Sequence, residues 1–178
     1  MRKIIFIIII GLYSIQSIAQ TEMAPNFVGI NPSVTIEPFY EKGELDVNVF
    51  PIVYQKALAE RIDIRIATIL NYGIRKTTNE ISHFGGQLAF PIFLKKKEDL
   101  LLPSQGYFAA FGIGFTRNRI EEHTNIGFWL EPGYNLMISE KWSISFGIQF
   151  GATYFNYDNG IQKWGNHFGS KIIFGRWI

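Results

Sequence analysis

The stretch Lys141-Trp142-Ser143-Ile144-Ser145-Phe146-Gly147-Ile148-Gln149-Phe150-Gly151-Ala152-Thr153-Tyr154 decides the fold of this chain. Trp142, Ile144, Phe146, Ile148, Phe150 and Tyr154 share one parity; Ser143, Ser145, Gly147, Gln149, Gly151 and Thr153 share the other. Period-two alternation marks a β-strand with two unlike faces. Its polar face is small and uncharged, as a narrow, crowded interior requires. A soluble strand turns Lys, Glu or Thr to water and hides its aromatics. Here the bulky face is expected to meet lipid.

Working outward, alternation of this kind divides the chain from Thr21 into eight segments, near residues 28–40, 44–55, 61–74, 82–94, 106–117, 124–137, 141–154 and 165–178. Each is long enough for a tilted membrane-crossing strand of roughly 9–11 residues. None has a 3.6-residue apolar period. The predicted fold is all-β: an eight-stranded antiparallel up-and-down transmembrane β-barrel with both ends in the periplasm.

The third segment sets Ile62, Ile64, Ile66, Thr68, Leu70, Tyr72 and Ile74 against Arg61, Asp63, Arg65, Ala67, Ile69, Asn71 and Gly73. The fifth puts Tyr107, Ala109, Phe111, Ile113 and Phe115 outward over inward Gly106, Ala110, Gly112 and Gly114. In the sixth, Trp129 has inward parity and reads as a large lumen plug. The second is the weakest, with Phe50, Ile52 and Tyr54 inward and the register around Pro51 open. Pro38, Pro51, Pro91 and Pro132 each remove a ladder donor inside a proposed strand.

External loops are expected near residues 41–43, 75–81, 118–123 and 155–164, with a tight periplasmic turn at Ser139-Glu140. Lys95-Lys96-Lys97-Glu98-Asp99 reads as a solvated turn, and Glu121, Glu122 and His123 as a solvated loop tip. The interfacial aromatics agree with this layout. Tyr40, Tyr72 and Tyr154 fall at inferred outer ends and Tyr107, Tyr134 and Trp142 at periplasmic ends, all with lipid-facing parity.

Arg2 and Lys3, the apolar run from Ile4 to Leu12 and the small-x-small end Ser17-Ile18-Ala19 predict a signal peptide over residues 1–19. The nine-residue apolar core is short of the roughly 20 that a spanning helix needs. Residues 20–178 then form one domain, the barrel. Without Arg2 and Lys3, the 17 basic residues fall to 15 against 15 acidic, which leaves no case for nucleic-acid binding. Zero cysteines exclude disulfides, thiolate metal sites and a lipoprotein anchor.

The leader end Ser-Ile-Ala-Gln and the phrases Leu130-Glu131-Pro132-Gly133-Tyr134 and Ile138-Ser139-Glu140-Lys141-Trp142 resemble the small outer-membrane β-barrel proteins of Bacteroidota, of the OmpA/OmpX-like eight-stranded kind. The resemblance implies an outer-membrane location in a Gram-negative cell and assigns no reaction. The last strand ends Phe174-Gly175-Arg176-Trp177-Ile178, where such barrels usually close on a terminal aromatic residue.

Inward parity places Asp63, Arg65, Glu131 and Lys171 in the lumen, read as an ion-paired plug because buried charges must pair. A gated proton or ion path is the sharper reading. Glu37, Asp46, His83 and His167 are expected near the external mouth. Carboxylate and imidazole suit a metal or acid–base chemistry, but the spacings match no metal motif, and a hydrogen-bonded lining is expected. Ser82 and His83 alternate to opposite faces, so no Ser–His–acid set of the lipid A deacylase kind is expected. Gly112-Ile113-Gly114 precedes no helix and is not a phosphate loop.

The expected role is structural or interactive, without catalysis or cofactor, in a monomer whose surroundings are outer-membrane lipid. The alternative is a narrow conduit or binding barrel for a small, hydrophobic molecule. A third reading is a soluble lipocalin-like barrel with its faces reversed.

Overall fold

The computed structural model describes residues 25–35, 41–77, 79–99 and 101–178. The expected leader, Glu37, Pro38 and Tyr40 lie outside these residues.

The strands are β1 (Asn26–Ile30), β2 (Val34–Thr35), β3 (Leu45–Asn48), β4 (Ile52–Ala57), β5 (Asp63–Ile74), β6 (Asn79–Phe93), β7 (Gly106–Asn118), β8 (His123–Met137), β9 (Trp142–Tyr157) and β10 (Gln162–Trp177). β1 with β2, and β3 with β4, are the two halves of the first two staves, so ten segments make eight staves. All pairings are antiparallel, and neighbours in sequence are neighbours in space. The ring closes where β1 meets β10, with Phe27 opposite Trp177 and Ile30 opposite Phe174. Both described chain ends lie at one rim, called here the terminal end; the opposite rim is the distal end.

The faces follow the alternation. On β9, Trp142, Phe146, Ile148 and Phe150 are exposed while Ser143, Ser145, Gln149 and Thr153 are buried. Around the ring, large apolar side chains such as Ile66, Phe111, Leu130 and Ile172 point outward, at about half exposure each. The buried side is rich in polar groups, so the faces are not those of a lipocalin-like barrel. Tyr107 packs edge-on against Tyr134 at 4.7 Å and Trp142 stacks on Phe174 at 5.1 Å, at the terminal end. Tyr154 meets Trp164 at 5.3 Å toward the distal end.

The second stave departs from the expected register. Asp46 and Asn48 are buried on β3, but Val53, Gln55 and Ala57 are the buried residues on β4. Phe50, Ile52 and Tyr54, expected inward, are therefore outward and exposed. Parity flips because Asn48 lies opposite Asn71 while Val53 lies opposite Ala67, leaving one extra residue around Pro51. Pro51 has no N–H to give the ladder. Side chains fill the break: Asn48 Oδ1 accepts the Phe50 and Leu70 amides at 3.1 and 3.2 Å, and Thr68 Oγ1 accepts the Ile52 amide at 3.1 Å.

A second irregularity sits on β6. Asn71 pairs with His83 but Tyr72 with Ile81, which makes Ser82 the extra residue of a bulge. Ser82 and His83 are both buried, not on opposite faces as strict alternation predicts. The β9–β10 hairpin also runs further than expected: residues 155–157 and 162–164 are strand, and the loop is only the four residues between them.

Candidate functional site

The terminal floor is apolar. Phe27, Val53, Ala67, Ile173 and Trp177 form one buried cluster, and Ala89, Phe93, Phe108 and Ala110 another. Against it packs a polar layer built from inward positions of β4, β5, β8, β9 and β10. Glu131 is its centre. Its Oε1 accepts from Arg65 Nη1 at 2.7 Å, its Oε2 from Gln149 Nε2 at 2.7 Å, and Lys171 Nζ stands 3.4 Å from Oε2. Gly147 lies beside the carboxylate stem: a Cβ there would come within 2.8 Å of Glu131 Cγ.

The layer continues both ways. Arg65 Nε donates to Gln55 Oε1 at 2.8 Å, and Gln55 Nε2 donates to Asp63 Oδ2 at 2.6 Å. Lys97 reaches the other Asp63 oxygen at 3.4 Å. Toward the distal end, His167 Nε2 lies 3.3 Å from Gln149 Oε1, and Thr153 Oγ1 lies 3.3 Å from His167 Nδ1. Since Gln149 already donates to Glu131, its oxygen accepts, which places the imidazole proton on Nε2. Lys171 also donates to Gln87 Oε1 at 2.9 Å. Trp129 closes the layer. It stacks on His167 at 5.1 Å, and a Cβ on Gly112 would fall 2.2 Å from its ring.

The mouth residues divide. Asp46 and His83 meet, with His83 Nδ1 3.0 Å from Asp46 Oδ2 and Arg75 Nη1 2.9 Å from Oδ1. His167 is not with them; it belongs to the Glu131 layer. Ser82 Oγ also approaches His83 Nδ1, at 3.3 Å. Acid and hydroxyl thus address one ring nitrogen. A nucleophilic relay needs them on opposite nitrogens, with the base between, so this trio does not activate Ser82. Among the described residues no three His, Cys, Asp or Glu side chains are grouped to hold a metal ion.

No protein-family model matches the chain, and no curated protein is similar to it.

Three participants differ from the sequence-based expectation. Arg75 follows β5 in the loop where it is expected, but its side chain is buried against Asp46, as the inward parity of Gly73 continued by one step signals. His123, expected at a solvated tip, is buried at the start of β8 against Tyr157 at 4.8 Å and Phe155 at 5.6 Å. Its parity matches Asn125 and Gly127. Lys97, expected in a solvated turn, is buried, because its amide donates to Glu60 O at 3.0 Å and folds the turn under the floor. Nothing in a charged pentapeptide signals that.

Proposed function

We propose that this chain is an outer-membrane β-barrel protein with a filled lumen, acting as a structural or interaction element without catalysis. The observation that carries the reading is the inversion of the barrel: a belt of exposed Ile, Leu and Phe outside, and a charged, mutually bonded layer around Glu131 inside. An apolar belt of this extent is costly in water and favourable in hydrocarbon, and a closed ring leaves no backbone edge to lipid. Tyr72, Tyr107, Tyr134, Trp142 and Tyr154 suit the two interfaces. The leader-like residues 1–19 and the resemblance to Bacteroidota outer-membrane barrels support export to that membrane, with lipid as the surrounding partner and a monomer as the unit.

Fractionation tests this. The protein should partition with outer membranes and shift in electrophoretic mobility on boiling; recovery from the soluble periplasm without detergent contradicts it. The second reading, a narrow conduit or binding barrel for a small molecule, draws on the unbroken polar run from Lys97 through Asp63, Arg65 and Glu131 to Thr153. Steady conductance in planar bilayers favours that reading; a silent barrel favours the filled lumen.

A further inference from the structure

The connection from β6 to β7 runs over residues 94–105, where an antiparallel hairpin needs about two to five. Its described residues, 94–99 and 101–105, touch the barrel through two legs. On the first, the Lys97 amide donates to Glu60 O at 3.0 Å, and Lys97 Nζ lies 3.4 Å from Asp63 Oδ1 at the start of β5. On the second, the Ser104 carbonyl accepts from Asn135 Nδ2 of β8 at 2.5 Å. Asp63 and Asn135 are both inward, buried residues, on the strands that flank the β6–β7 pair. The connection therefore turns in beneath the lumen and does not run out along the rim. Gly106 makes the turn inward, with a φ of 93° that only glycine adopts freely.

What it covers is polar. Asp63 is the inward residue nearest the terminal end of β5, where an open barrel would leave it wet, yet it is wholly buried. Gln55 donates to its second oxygen at 2.6 Å and is buried as well. From there the bonded run continues through Arg65 to Glu131. Lys97 ends that run. Burial pushes its ammonium below the ordinary lysine range, and the Asp63 carboxylate pulls it back. A buried ammonium is costly unless its partner answers it, and Asp63 is its one ion pair among the described residues, so the contact stands near balance. Lys96 adds an exposed pair with Glu60 at 2.8 Å, which water leaves weak. The two legs are not packed together. A cavity of about 90 Å³, walled in part by Phe93, Leu102 and Pro103, lies between them, whereas a close-packed interior has few such voids.

We propose that the β6–β7 connection is a lid over the terminal mouth of the lumen, latched by Lys97 on Asp63, whose opening admits water to the run from Asp63 to Glu131. It rests on the reading of this chain as a barrel with a polar lumen, and adds a gate at one end. Opening releases the two leg hydrogen bonds and the ion pair, and both charges regain water. The ladder below it, which ends with Phe93 opposite Phe108, stays intact.

Hydrogen exchange of the Gln55 side-chain amide, followed by NMR of the folded protein in detergent micelles, reads the lid. In wild type it should be far slower than that of the exposed Gln162 side chain. Lys97→Ala, which cuts the latch, and Asn135→Ala, which frees the second leg without touching Asp63, should each speed it about tenfold. The backbone amides of Ile113 and Phe128, paired in the middle of the β7–β8 ladder, should keep their wild-type rates and so report that each variant is folded. Gln55 exchanging as fast as Gln162 in wild type, failure of either variant to move its rate, or a rise only in step with the ladder amides overturns the proposal. Solubility without detergent decides the membrane reading, and the exchange comparison can equally be made in plain buffer, so the two fail independently.

Discussion

Arg65 Nη1 lies 2.7 Å from Glu131 Oε1, with both side chains almost wholly buried, across a barrel in which their strands are not neighbours. β5 and β8 are separated by β6 and β7, so this contact crosses the lumen and does not run along the wall. With Lys171 on the second oxygen, one acid answers two bases. Burying the pair costs desolvation that its attraction repays only in part, whereas removing one partner leaves an uncompensated charge. Glu131→Gln is expected to destabilise the barrel by roughly 3–5 kcal/mol. Adding Arg65→Met and Lys171→Met should recover part of that loss. Urea unfolding in lipid vesicles, read as a double-mutant cycle for each base, measures the coupling. Zero coupling in both cycles removes the ion-paired plug.

The outward face has its own test. Phe146 is 45% exposed and pairs across to Tyr134 and Ile172, so its side chain stands in the apolar belt. Phe146→Arg should cost roughly 2–4 kcal/mol in a bilayer if the residue lies near the midplane. If that face meets water instead, the change should fall within about 0.5 kcal/mol. Equal stability of variant and wild type in vesicles therefore counts against membrane insertion.

How much of the barrel is legible in the sequence depends on the length of each alternating run. β7, β8 and β9 carry a dozen or more residues of unbroken parity, so one wrong residue cannot shift the frame. Their inward members, Trp129, Glu131 and Gln149, follow from parity alone. β3 and β4 carry four and six, and the extra residue at Pro51 inverts the face of everything after it. On β6 the extra residue, Ser82, stands at the start of the predicted segment, so it alone departs from the expected parity and His83, Ala89 and Phe93 keep theirs. Bulges are set by local side-chain bonds, such as Thr68 to the Ile52 amide, which no periodicity reports. The partner of Asp63 is illegible for a different reason. Lys97 comes from a turn, where alternation has no meaning, and only tertiary folding of that turn brings it under the barrel.

Trp129 fills the lumen because Gly112 and Gly114 offer it no Cβ: added atoms would lie 2.2 and 3.1 Å from its ring. The two glycines and the indole are one packing unit. Gly112→Ala should cost roughly 1–3 kcal/mol by overpacking. Gly112→Ala combined with Trp129→Leu should cost less than the two changes summed, because the smaller side chain vacates the space the methyl needs. Additive losses in urea titrations would mean that Gly112 matters for its backbone and not for the close approach.

Asp158, in the β9–β10 loop, straps the distal rim. Its Oδ1 accepts from Arg117 Nη1 at 2.7 Å, its Oδ2 from Arg117 Nη2, and its amide donates to Glu122 O at 3.0 Å. Arg117 is on β7, so the strap passes over β8. The Arg117 guanidinium holds the Asp158 carboxyl below its ordinary value of 3.8. A carboxyl with a lowered folded pKa contributes stability that is complete above the unfolded pKa and is lost as pH falls through the folded one. The hairpin tip should therefore be rigid above about pH 4 and loosen below it. In Asp158→Asn it should be loose throughout, with the rest of the barrel unaffected because the pair is exposed and screened. Backbone relaxation of Asn159 and Gly160 across that range is the measurement. A tip equally rigid in wild type and Asp158→Asn at neutral pH, or one indifferent to acid in wild type, would show that the hairpin stands on its β9–β10 ladder alone.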